Sequence, residues 1–158
     1  MYKSGKMGIV MHGDERTGLA AHTWNRWVAA QFAPLVLRLV LGLIFLVHGL
    51  SKFTHMASSV AAFTKIGMPL PSFTVLAIAV LEVFGGLVII LGLSWITRVL
   101  AFLLALEMLV AILFVKLKAG LVGGYEFELV LLAALLALVF SGPGRLALWH
   151  EKEAQTRS

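Results

Sequence analysis

Cysteine is absent from this chain. That excludes structural disulfides, thiolate zinc sites, iron–sulfur clusters and CxxC redox chemistry carried by the polypeptide itself. Any redox role must use a bound molecule or a partner protein. Charge is scarce as well. Asp, Glu, Lys and Arg make up 13% of the 158 residues, against about a quarter in soluble domains. Histidine is too sparse for a bundle haem: of His12, His22, His48, His55 and His150, only His48 falls in a long apolar run. A haem held inside a bundle needs axial ligands, usually two histidines on facing helices. No His/Glu cluster has metal-ligand spacing either, so no metal site is expected.

Hydrophobic residues, by contrast, make up 60% of the chain, and mean hydropathy is +0.96. They gather into four runs: residues 34–53, about 73–93, 95 to about 115, and about 125–140. Each is near the roughly 20 residues that cross a bilayer at 1.5 Å per residue. The breaks carry turn chemistry: Gly67-Met68-Pro69-Leu70-Pro71, Gly92-Leu93-Ser94, Lys118-Ala119-Gly120 with Gly123-Gly124, and Ser141-Gly142-Pro143-Gly144. Pro34 suits a helix start. The fold class that follows is all-α: a membrane four-helix bundle, residues 34–146, with an N-terminal extension (1–33) and a C-terminal tail (147–158).

Within the extension, Ala20, Trp24, Trp27, Val28 and Phe32 share one helical face. The segment reads either as a short N-terminal interfacial helix with tryptophans at headgroup depth or as a frayed tail. No signal peptide is evident. The net charge of +5 comes from scattered flanking residues rather than a dense basic stripe, so no nucleic-acid partner is expected. Lys3, Lys6, Arg16, Arg26, Arg98, Arg145, Lys152 and Arg157 lie on the side of the termini, against Lys52, Lys65, Lys116 and Lys118 on the other. This bias puts both termini in the cytoplasm.

Charge at mid-bilayer costs about 2.5–3.5 kcal/mol on insertion scales, so each such residue calls for an explanation. Glu82 and Glu107 lie about 14 and 18 Å into their helices; each needs a cation or a proton there. Glu82 shares a face with Ala79 and Gly86, which lets a neighbouring helix come close. Arg38, Phe45 and Lys52 repeat at seven-residue spacing with His48 one turn before Lys52. Arg38 and Lys52 are within snorkelling reach of the interfaces, and Lys116 and Lys118 read as helix-end charges. For His48 alone, an interhelical hydrogen bond is favoured over chemistry. Glu82 admits neither snorkelling nor capping.

These residues resemble the DoxX family of membrane proteins. The resemblance runs in order through Arg38-Leu39-Val40-Leu41-Gly42, Phe45, His48-Gly49-Leu50-Ser51-Lys52-Phe53, Gly67-Met68-Pro69, Glu82-Val83-Phe84-Gly85-Gly86, Gly92-Leu93, Thr97-Arg98, Gly123-Gly124-Tyr125-Glu126 and Ser141-Gly142-Pro143-Gly144-Arg145. It implies a four-helix bundle and a link to membrane redox biology, some members being a subunit of thiosulfate:quinone oxidoreductase. By position, His48, Lys52, Glu82 and Glu126 match the family's polar set. Two departures stand out: Lys116 replaces a histidine that many members have, and Leu146-Ala147-Leu148-Trp149 replaces the usual Ser-Leu-Asp.

Three functions follow as expectations. One is a redox-associated subunit of a bacterial inner (plasma) membrane. Its polar intramembrane site comprises His48, Lys52, Glu82, Glu126, Arg38 and Glu107, with a quinone bound non-covalently. Such a subunit works with membrane lipid around it and a redox protein beside it, in a homo- or hetero-oligomer. The second is a non-catalytic accessory or scaffold subunit. The third is a small-molecule carrier, against which four helices are few and no inverted repeat is visible.

Overall fold

The computed structural model describes residues 14–144 and 146–148, with side chains from residue 32 onward. Residues 1–13, Arg145 and the end of the tail lie outside the described residues, as do the side chains of the tryptophan-bearing face at 20–28. The described chain is helical: α1 (Asp14–Thr54), α2 (Met56–Lys65), α3 (Pro71–Leu91), α4 (Ser94–Val110) and α5 (Glu126–Ser141). Four stretches are long and apolar enough to cross a membrane: Phe32–Thr54, Pro71–Leu91, Ser94–Ala119 and Leu121–Ser141. Lipid offers no hydrogen bonds to a bare backbone, so apolar runs of this length close their own ladders as helices.

The separate N-terminal helix does not appear as such. Its backbone is continuous with the first span, and Pro34 sits inside α1 rather than at its start. A proline there removes one ladder hydrogen bond without requiring a break. The fourth span does begin earlier than the sequence reading placed it, at Leu121, but Val122 and Gly123 are non-helical and regular α-helix starts at Glu126. The third span leaves α geometry at Ala111 and widens into π turns through Lys116, followed by a 3₁₀ turn at Leu117–Ala119. The short helix α2 was not expected from the sequence.

The helices pack with α1 chiefly on α3 and α4 on α5. The core runs through Leu41, Phe45, Ile89, Leu104, Leu135 and Leu138. Val36, Leu43, Val80, Phe102 and Val130 face outward, as lipid-facing positions should. The α1–α3 contact is close because a Cβ on Gly86 would come within 2.7 Å of Gly42 O and 2.8 Å of Leu46 N. Past α5, Gly142 at φ +75° turns the chain, Ala147 is buried, and Leu148 N–H donates to Leu91 O at 3.2 Å. The start of the segment assigned to the tail therefore covers the end of α3.

Candidate functional site

Alternating helix direction brings the C-terminal end of α1, the start of α3, the π turns after α4 and the start of α5 to one end of the bundle. A cavity of about 410 Å³ opens there, lined by side chains from all of them. Ile44, Phe45, Ile78, Met108 and Leu131 supply apolar wall, and Phe63, Ile66 and Met68, from α2 and the turn after it, close its outer side. Lys52, Glu82, Glu107, Lys116 and Glu128 supply the charge.

Glu82 is buried and points into protein, not lipid. Its Oε2 accepts from Lys52 Nζ at 2.6 Å, which answers the charge that the bilayer would otherwise penalise. The close α1–α3 packing makes this reach possible, since Gly49 lets α1 lie against Ala79 and Val83 on either side of Glu82. Lys52 is thus a partner and not a snorkelling end charge. Glu107 from α4 lies beside Glu82, close enough to interact with it, and its Oε2 is buried with no hydrogen-bond partner among the described residues.

Opposite this group stands a pair that sequence reasoning missed. Lys116 donates to Glu128 Oε1, joining the π turns after α4 to the first turn of α5. Lys116 therefore does more than end a helix. Glu128 is buried, and its Oε2 also lacks a partner among the described residues. The signal available in the sequence was an acidic pair, Glu126 and Glu128, at a helix start, of which the resemblance singled out the first. Glu126 is exposed and accepts from Gly123 N–H at 3.2 Å, a local turn contact outside the cavity lining.

His48 makes no interhelical hydrogen bond among the described residues. Its Nδ1 lies 2.8 Å from Ile44 O on its own helix, while the ring stacks on Phe127 of α5 at 6.1 Å between centroids. It lines the cavity at its rim. Arg38 is at the other end of the bundle and is not part of this site. It does not snorkel; it is fully buried and donates to three carbonyls, Ile89 O at 2.9 Å, Ile90 O at 2.6 Å and Pro143 O at 3.0 Å. A cation on the last carbonyls of α3 satisfies acceptors that a helix end leaves free. Among the described residues, no three His, Asp or Glu side chains gather as metal ligands.

The DoxX family model matches residues 33–117. Among curated proteins, the one named "Putative oxidoreductase CatD" from Bacillus subtilis (strain 168) is 42% identical over 118 residues, covering 75% of this chain and 85% of that protein. "Uncharacterized membrane protein Rv3486" of Mycobacterium tuberculosis is 35% identical over 148 residues, 84% of this chain and 90% of that one. An "Uncharacterized protein" of Haemophilus influenzae is 36% identical over 121 residues, 71% and 84% respectively. No solved structure matches the chain. The family match ends at residue 117, before Glu126 and Glu128. With its four apolar spans and this extent of similarity, the chain belongs to the DoxX family of multi-pass membrane proteins.

Proposed function

We propose that this protein is a redox-linked membrane subunit whose cavity holds a quinone headgroup, with a partner protein carrying the electrons onward. The observation behind this reading is the pair of buried carboxyl oxygens, on Glu107 and Glu128, left without partners among the described residues in one apolar-walled cavity. Buried polar atoms without partners are rare in native proteins and each asks for a ligand or another explanation. At about 410 Å³ the space lies in the usual range for small-molecule sites, about 300–1,000 Å³. Convergent polar groups within apolar walls suit a molecule with oxygens on a hydrophobic ring.

Lys52 and Glu82 would hold the ring's deep side, and Lys116 with Glu128 the other. Phe45, Ile44 and Leu131 exclude water, and the stacked His48–Phe127 pair stands at the rim. When bound, a quinone supplies a bilayer-soluble couple of two electrons and two protons. The chain's part is to place oxygens against carboxyl and ammonium groups that can hold or pass those protons. With no cysteine and a single histidine in the spans, electron transfer falls to the partner. The name of the Bacillus subtilis relative, an oxidoreductase, is in keeping with this. The basic flanks favour cytoplasmic termini, and the cavity would then lie toward the outer face of an inner membrane.

The test is binding of a short-chain quinone with a decyl tail to purified protein in lipid nanodiscs, corrected for partition into empty discs. Saturable binding is expected, at least tenfold weaker for Glu82→Gln and for Lys52→Met. Undiminished affinity in a folded Glu82→Gln protein would overturn the proposal. Mass spectrometry of lipids and proteins that copurify after gentle extraction identifies the native quinone and the partner.

A further inference from the structure

The two ends of the cavity differ in what they can accept. Glu128 gives Oε1 to the Lys116 ammonium in a salt bridge, and a carboxylate so paired leaves its buried Oε2 as an acceptor. A ligand group placed against it must therefore be a donor, because two acceptors face to face leave both unsatisfied and repel. Glu107 is different. Lys52 is engaged by Glu82, and Glu107 makes no ion pair of its own among the described residues. The cavity thus has three carboxyl groups and two ammoniums. The third carboxyl has no ammonium of its own, and a carboxyl that keeps its proton can meet either a hydroxyl or a carbonyl.

From this asymmetry we infer that Glu128 makes the site selective for the hydroxylated, reduced form of its ligand: an uncharged ring with an O–H donor directed at Glu128 Oε2. The inference rests on the quinone reading of the cavity and adds to it a preferred redox form and the residue that sets it. Glu128 lies outside the polar set drawn from the family motifs and beyond the stretch that the family model matches. A quinone in the same place offers Glu128 a carbonyl in place of a hydroxyl. A tenfold preference for the quinol raises the potential of the bound couple by about 30 mV.

Three probes that share one tetramethyl ring separate the possibilities: duroquinol, duroquinone and the bulkier dimethyl ether of duroquinol, whose fully substituted rings resist addition of lysine amines. Their affinities are read on purified wild-type protein in lipid nanodiscs. Duroquinol is expected to bind at least tenfold more tightly than duroquinone, and the dimethyl ether, which has no donor, no better than the quinone. Glu128→Leu, which removes the acceptor, should abolish the preference. Glu128→Gln supplies an N–H donor at nearly the same shape and should move the preference toward duroquinone. Equal affinity of quinol and quinone in the wild type overturns this inference and leaves the quinone site standing. A preference unchanged in both variants also overturns it. Failure of all three probes to bind overturns the quinone site and the inference together.

Discussion

Lys52 Nζ lies 2.6 Å from Glu82 Oε2, an ion pair across 30 residues that joins the first span to the second at the floor of the cavity. Removing one partner of a buried pair leaves an uncompensated charge, at a cost of about 3–5 kcal/mol, whereas replacing both with apolar residues is often neutral. Lys52→Met is therefore expected to destabilise the protein by roughly 3 kcal/mol, and Glu82→Met by somewhat less, because the Lys52 stem can reach toward the interface. The double variant should recover most of the loss. Thermal unfolding of the three proteins in detergent checks this; additive losses would show that the pair is not coupled.

Arg38 ties α3 to the turn after α5, and one glycine makes room for it. A Cβ on Gly92 would fall on the Arg38 guanidinium, and Gly92 is in the left-handed region at φ +71°. Arg38→Met strands three acceptors, one buried and two part-buried, and should cost roughly 3 kcal/mol; Arg38→Lys, without the planar fork, should recover less than half. Gly92→Ala should be as damaging in the wild type. In the Arg38→Met background only the backbone cost of about 1–2 kcal/mol remains, so the two losses should be strongly non-additive. Chemical denaturation of the four proteins reads the coupling.

How much of this was legible in the sequence depended on whether a residue's role was local. The four spans and their breakers are local properties of composition, and they hold to within a few residues. Glu82 was legible because depth alone leaves it few alternatives and Ala79 and Gly86 mark a close helix contact. Glu128 was not. Its position at a helix start is the ordinary place for an acidic residue. Only the π turns after α4, which carry Lys116 round to it, turn it into part of a cavity. Arg38 misled in the other direction: its place near a helix end suggested snorkelling, but the carbonyls it meets come from residues 51, 52 and 105 positions away. The α2 helix is only ten residues long and buries none of them fully, and its contribution of Phe63 to the cavity is purely tertiary.

The seat of the ion pair depends on a glycine one turn from Lys52. A Cβ on Gly49 would approach Val83 Cγ2 to 2.7 Å, Val83 N to 2.8 Å and Ala79 O to 2.9 Å. Backbone atoms cannot step aside, so Gly49→Ala must push α1 from α3 at the level of Glu82. A stability loss of about 1–3 kcal/mol is expected from the overpacking. Quinone affinity should fall as well, because Lys52 is carried away from Glu82. Gly67→Ala is the contrasting control: a Cβ there meets nothing within 4 Å, although φ +74° strains it, so stability should fall with quinone affinity retained.

Exposure of the charged side chains falls from the α2 end inward: 41% for Lys116, 21% for Lys52, 11% for Glu128 and 3% for Glu82. Toward the opposite end the bundle is closed by Leu41, Ile89, Leu104, Leu135 and Leu138, all buried, and then by the Arg38 clamp. Water and protons should therefore reach the cavity from the α2 side alone. The absence of native cysteine allows a direct check with single-cysteine variants and an impermeant cationic methanethiosulfonate added to either face of sealed vesicles. Ser58→Cys on α2 and Ser141→Cys at the end of α5 report the two faces, since both residues are exposed. Ala111→Cys, on the cavity wall, is expected to react at least tenfold faster from the face that labels Ser58→Cys. Equal rates from both faces, or faster labelling from the Ser141→Cys face, would mean that the core between Leu41 and Leu138 is not the barrier its packing indicates.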